Sequence, residues 1–159
     1  MSTPSRLETD IRQTRPFASA CQEAALSVLH TADSLRRLYS EAMTPFGVTF
    51  QQYNALRIIR GAGEGGIPSQ EIGERMIERS PGMTRLLDRL EQKGLVARTR
   101  SREDRRVVIC MLTEESSALL DRMEDSVRET EQRAMASLDV PRLRELTDLL
   151  GDIRSVLDE

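Results

Sequence analysis

The side chains best placed to do chemistry in this sequence are arginines, and their spacing points to phosphate. Between Arg79 and Arg106 stand nine basic residues against four acidic ones, a net charge of +5 in 28 residues. The rest of the chain holds 14 basic and 22 acidic residues, so the whole chain nets −3. A basic segment set in an acidic body is the electrostatic footprint of nucleic-acid binding, with the acidic remainder limiting indiscriminate adhesion. A solvated charged hairpin would have the same composition, and charge alone leaves both readings open. Catalytic sets are missing. One histidine and two widely separated cysteines do not make the usual zinc ligand sets. The segment GAGEGG at 61–66 lacks the Lys-Ser/Thr ending of a phosphate loop. The expectation is a protein that is not an enzyme and needs no metal or cofactor.

The elements that must position those arginines can be read from periodicity. Phe17, Cys21, Ala25, Val28, Ala32, Leu35, Tyr39 and Ala42 form one apolar stripe of a long helix reaching about Met43, stopped by Pro45 and Gly47. Thr49 with Gln52 three residues later is a capping-box start for a short helix bearing Tyr53, Leu56 and Ile59. After the glycine-rich loop, Ser69 caps a helix carrying Ile72, Met76 and Ile77. Ser80 and Pro81 then open another, with Met83, Leu86, Leu87 and Leu90 as its buried stripe. Lys93-Gly94 ends that helix. The period then changes to that of strands, with Val96 to Arg100, a polar turn at 101–104 and a β-branched run from Arg106 to Leu112, which together make a hairpin. Thr113 caps a long helix with Leu119, Met123, Val127 and Ala134. Asp139 caps a last one with Leu143, Leu146, Leu149, Leu150, Ile153 and Leu157.

The order of elements predicts a mainly α fold. Three short helices and a β-hairpin wing form a winged helix-turn-helix, flanked by long N- and C-terminal helices. The expected organisation is a flexible tail at 1–14, a winged-helix DNA-binding region at 47–113, and a helical dimerisation region at 15–46 and 114–159. Aromatics make up 3% of the 159 residues, so the core rests on aliphatic side chains and methionine. No run approaches 18 apolar residues and residues 1–20 lack a signal-peptide stretch, so no membrane partner is expected. Two cysteines do not make a disulfide scaffold, and a reduced cytoplasmic setting is the expectation.

The basic residues fall on the two elements that a winged helix presents to DNA. Thr84, Arg85 and Arg89 lie away from the Met83–Leu90 stripe and are candidates for the major groove, although Asp88 could simply pair with Arg85. Ser80, at a helix N-terminus, can serve both as cap and as phosphate donor. Arg106 stands at the hairpin turn, where a guanidinium can enter a narrow minor groove. Asp104 is expected to orient Arg106 or brace the turn. Arg98, Arg100 and Arg102 recur every second residue and are expected to contact phosphates.

Residues 80–117, SPGMTRLLDRLEQKGLVARTRSREDRRVVICMLTEES, resemble the MarR family of bacterial transcription regulators. The specific pieces are Thr84-Arg85-Leu86, Asp88-Arg89-Leu90, Gly94-Leu95-Val96, Asp104-Arg105-Arg106 and Leu112-Thr113, with GVTFQQY at 47–53 upstream. Pro81-Gly82-Met83 departs from the hydroxyl or branched residues that many members carry there, and Val107 is larger than usual. The resemblance implies a homodimer on a pseudo-palindromic double-stranded operator, usually a repressor released by a small-molecule inducer or by oxidation. It implies an inducer pocket between the dimer helices and the winged helix. The alternative is a winged-helix protein-interaction module that does not bind DNA. The long stripes at 17–42 and 143–157 exceed what so small a unit can bury, which favours pairing with a second copy. Cys21, on the stripe, is expected to be a buried inert thiol, Cys110 to pack beside Val108 and Leu112, and His30 to lie at the surface.

Overall fold

A computed structural model describes residues 5–78 and 82–157. Within the segment expected to be an unpatterned tail, Ser5 and Glu8 form a capping box that starts a short helix, α1 (Arg6–Asp10), with Leu7 buried. The first long helix, α2 (Ala20–Met43), begins after Phe17, at a Ser19 cap whose hydroxyl accepts from the Gln22 amide. Gly47, at φ +68°, turns the chain after a single 3-10 turn at Thr44–Phe46. The reciprocal Thr49–Gln52 box then opens α3 (Phe50–Gly61).

Two residues escape the periodicity argument. Ile67–Pro68 form a strand, β1, antiparallel to β3 (Val108–Leu112), which also pairs with β2 (Val96–Arg100). The wing is therefore the outer part of a three-stranded sheet ordered β1-β3-β2, and not a lone hairpin. A two-residue strand is too short to show alternation. Its neighbour Gly66 is held at φ +69° with the Cys110 carbonyl oxygen 2.6 Å from where a Cβ would stand, so only glycine lets β1 approach β3.

Helix α4 (Ser69–Arg75) has Pro68, not Ser69, at its cap. It stops before Met76, which adopts extended backbone and is buried, while Ile77 is 65% exposed. The expected stripe through Ile77 fails because the helix has already ended. Helix α5 (Met83–Gln92) starts two residues later than expected, with Gly82 at the cap. Its C-terminus is a Schellman turn: Gly94 at φ +70°, Leu95 N–H to Leu90 O and Gly94 N–H to Glu91 O, both 2.9 Å. Thr113 caps α6 (Glu114–Met135) and its hydroxyl also donates to the Gly94 carbonyl at 2.7 Å, tying the ends of α5 and the wing to α6. The last helix, α7 (Val140–Leu157), is capped by Asp139, whose Oδ1 accepts from the Arg142 amide.

Met43, Leu56, Ile59, Ile67, Ile72, Leu87, Leu90, Cys110 and Met123 lie at the centre of one core. Each such aliphatic side chain stabilises the fold by about 1.5–3 kcal/mol on burial. The two long helices at the flanks behave differently. No residue of α7 is buried, and α2 buries only Met43. Cys21, expected to be buried, is exposed in the single chain, because it lies on a side of the first turns of α2 that its own chain leaves uncovered, where Gln22, Ala24 and Ala25 are exposed too. His30 is half-buried.

Candidate nucleic-acid interface

Helix α5 has one apolar face and one charged face. Leu87 and Leu90 are buried, Met83 and Leu86 pack at the rim of the core, and Thr84, Arg85 and Arg89 are exposed. Asp88 is not paired with Arg85. Its Oδ1 accepts from Arg98 Nη2 at 2.7 Å. Arg85 and Arg89 consequently have no ion pair or side-chain hydrogen bond among the described residues. Ser80 lies outside the described residues. The helix that it was expected to cap begins at Met83, because Gly82 occupies the cap position.

The three alternating arginines, Arg98 and Arg100 on β2 and Arg102 in the turn beyond it, reach three destinations. Arg98, expected among the phosphate contacts, turns inward. It shares a strand face with buried Val96 and stands opposite buried Cys110, and strand alternation aims it at α5. There its Nε donates to Glu91 Oε2 at 2.9 Å, and Nη2 bonds both Asp88 and Glu91. These bonds hold the Glu91 carboxyl below the usual carboxylate range and raise the Arg98 pKa further still. Arg100 Nη1 donates across the hairpin to the Arg105 carbonyl at 2.9 Å. Arg102 is exposed and without a side-chain partner among the described residues.

The wing tip is a set of nested turns. Ser101 Oγ accepts from the Glu103 and Asp104 amides, and Val107 N–H returns to Asp104 O at 2.9 Å. Asp104 Oδ1 accepts from the Arg106 amide at 2.9 Å and sits 3.5 Å from Arg106 Nε. One carboxylate both braces the turn and lies beside the guanidinium, whose side chain is 94% exposed. Lys93, legible in the sequence only as the end of α5, also bonds the Gly47 carbonyl at 2.6 Å and Gln52 at 3.3 Å and so anchors the end of α5 to the start of α3, a role that the sequence did not reveal. Nor did it pair Asp88 and Glu91 with Arg98, although their three-residue spacing on α5 and the parity of Arg98 with Val96 carry that signal.

A cavity of about 420 Å³ lies between α2, α3 and the Ile77–Glu78 segment. It collects three of the five aromatic residues, Tyr39, Phe50 and Tyr53, with Arg36 and Arg57 at its polar side. Tyr39 and Phe50 are in tilted contact, with ring centroids 4.8 Å apart. Tyr39 Oη donates to Glu131 Oε1 at 3.2 Å, and burial together with that carboxylate pushes the Tyr39 pKa up to about 12. Gln51 Nε2 donates to Glu78 Oε2 at 3.1 Å and Arg36 Nε to Glu78 Oε1 at 2.5 Å; the Gln51 bond first and the Arg36 bond second lower the Glu78 pKa. Among the described residues no group of three His, Cys, Asp or Glu side chains is placed to hold a metal ion.

Comparison with known proteins settles the family. The MarR family model matches residues 48–108, from the approach to α3 through the wing. An HTH-type transcriptional repressor of Mycobacterium tuberculosis is 31% identical over 121 residues, covering 76% of this chain and 86% of that protein. The crystal structure of a MarR transcription factor from Planctomyces limnophilus is 38% identical, with a TM-score of 0.66 over 86% of this chain and 98% of that one. The chain belongs to the MarR family. As a MarR protein it is a DNA-binding transcription regulator and not an enzyme. A mutant of MarR from E. coli, solved in complex with operator DNA, is 25% identical with a TM-score of 0.76, covering 94% of this chain and 99% of that one. Homodimers and release by small ligands are typical of MarR regulators. No described helix is long and apolar enough to cross a membrane.

Proposed function

We propose that this MarR regulator is a cytoplasmic homodimeric repressor of a pseudo-palindromic operator. Helix α5 of each protomer enters the major groove of one half-site, and the wing reaches the neighbouring minor groove. Thr84, Arg85 and Arg89 face the major groove, Arg106 the minor groove, and Arg100 and Arg102 the phosphates, with Ser80 a further phosphate contact and Asp104 the support of the wing tip. The observation that carries this reading is the pair Arg85 and Arg106. Each is exposed on one of the two DNA-facing elements, and the carboxylate that could have neutralised Arg85 is occupied by Arg98. A module that bound only proteins would gain nothing from exposed arginines at both places.

Dimerisation is supported by the flanking helices. Leu146, Leu149, Ile153, Val156 and Leu157 of α7 and Val28 and Leu29 of α2 are exposed in the single chain. Apolar faces this long on two helices mark a surface that a second copy covers. The cavity between α2 and α3 is the inducer site in this reading. It offers aromatic walls and an arginine edge to a small planar ligand, and Glu78 on its rim lies in the segment that leads into α5.

The test is selection of bound fragments from the organism's own genomic DNA, followed by competition binding. The expected result is a two-fold related pair of half-sites about one helical turn apart, roughly 34–36 Å, with affinity falling steeply as salt rises. If no selected duplex outcompeted random DNA at low salt, the protein-interaction reading would replace this one.

A further inference from the structure

Arg98 differs from the other arginines of the DNA-facing elements. Its side chain is 23% exposed, and all of its polar contacts run to α5: Nη2 to Asp88 Oδ1 at 2.7 Å, Nε to Glu91 Oε2 at 2.9 Å, and Nη2 to that same Glu91 oxygen. Asp88 and Glu91 are three residues apart and so occupy one face of α5. A planar guanidinium engaging two carboxylates on one helix face constrains both the rotation and the tilt of the strand that bears it. It also offsets one of the two negative charges that would otherwise stand beside incoming phosphates.

Lever geometry makes this constraint consequential. Arg98 lies in the middle of β2, and the wing tip is about four residues beyond, roughly 13 Å at strand rise. A tilt of about 15° at Arg98 would move the tip by about 3 Å, close to the 3.4 Å spacing of successive nucleotides. We infer that Arg98 is a positioning residue that sets the register between the major-groove contacts of α5 and the minor-groove contact of Arg106, by clamping the wing strand to Asp88 and Glu91. This inference rests on the proposed reading that both elements touch DNA.

The experiment uses the full-length protein and duplexes of roughly 30 base pairs carrying the genomically selected half-sites. The A·T-rich flank is displaced by zero, one or two base pairs from each half-site core. For the wild type, displacement by one base pair is expected to weaken binding roughly tenfold. Arg98→Gln should flatten that penalty to about threefold or less, with the salt slope unchanged. The triple variant Asp88→Asn, Glu91→Gln, Arg98→Gln should recover overall affinity, because the unpaired charges are gone, but not the register penalty, because the clamp is gone. Arg98→Lys keeps the charge without the fork and should flatten the profile in part, which preserves the test if Arg98→Gln proves poorly folded in a thermal melt. An Arg98→Gln protein with the wild-type displacement profile overturns the inference, and a salt slope reduced by about one would mark Arg98 as a phosphate contact instead. A wild type indifferent to flank position overturns both this inference and the wing contact in the proposed function. A register penalty in the wild type that Arg98→Gln leaves intact overturns only the inference.

Discussion

Asp88 accepts its hydrogen bond from Arg98, ten positions along the chain and on the wing strand, at 2.7 Å, while Arg85, one turn back on Asp88's own helix, has no carboxylate beside it. That choice of partner separates two arginines of similar sequence context. One belongs to the framework, and the other projects from the exposed face of α5.

Arg85 and Arg106 should fail differently when truncated. Arg85→Ala is expected to blur preference at one position of the half-site core by about 1–3 kcal/mol if Arg85 reads a guanine edge. Arg106→Ala should weaken binding to all half-site cores alike and lower the salt slope by about one, with its remaining loss of preference confined to A·T content in the flanks. Competition binding over core-swapped and flank-swapped duplexes reads both effects. Neither side chain contacts the core, so both variants should melt like the wild type.

The exposed face of α7 should hold the dimer. Light scattering at micromolar concentration is expected to give twice the 18.0 kDa chain mass for the wild type. Leu149→Asp with Ile153→Asp places two charges one turn apart on that face. Each apolar side chain so removed from a covered face forfeits up to about 1.5–3 kcal/mol of burial. The variant should therefore lose the dimer and its operator affinity together. A wild type that is a stable, folded monomer under these conditions would remove the dimer model.

Gly66 should tolerate no side chain. Gly66→Ala would combine a left-handed backbone, which costs about 1–2 kcal/mol, with a Cβ 2.6 Å from both the Cys110 carbonyl oxygen and Met111 Cγ. The urea midpoint should fall clearly. Gly65→Ala is the matched control, since nothing lies within 4 Å of its Cβ position.

Stability at high pH should carry a signature of the cavity. Burial and Glu131 raise the Tyr39 pKa from 10.0 to about 12 in the folded chain. Between those values the unfolded tyrosine ionises while the folded one keeps its proton. The associated stability is thus complete below pH 10 and is lost as pH rises through about 12. Tyr39→Phe should make the decline over that window shallower. A residual slope from Tyr53, whose pKa burial also raises, should remain. Denaturant melts at pH 9, 10 and 11 compare the two proteins.

What the sequence determined by itself is whatever depends on neighbours within a few residues. The Thr49–Gln52 box, the Thr113 cap, the Gly94 stop and the two-residue alternation of the wing strands are local arrangements of backbone donors and side chains, and all are legible in the order of residues. The charge contrast between 79–106 and the rest is likewise a property of the chain alone. Only the tertiary structure decided where long side chains end. Arg98, Arg100 and Arg102 share one spacing, yet one grips α5, one crosses the hairpin and one faces solvent. An arginine head lies several bonds from its Cα, and the carboxylates that capture it sit on an element whose packing no local pattern specifies. The same holds for Tyr39, Phe50 and Tyr53. Scattered along 15 residues of an aromatic-poor chain, they become one wall only when α2 folds back on α3. It holds too for β1, a strand of two residues that exists only because β3 is there to pair with it.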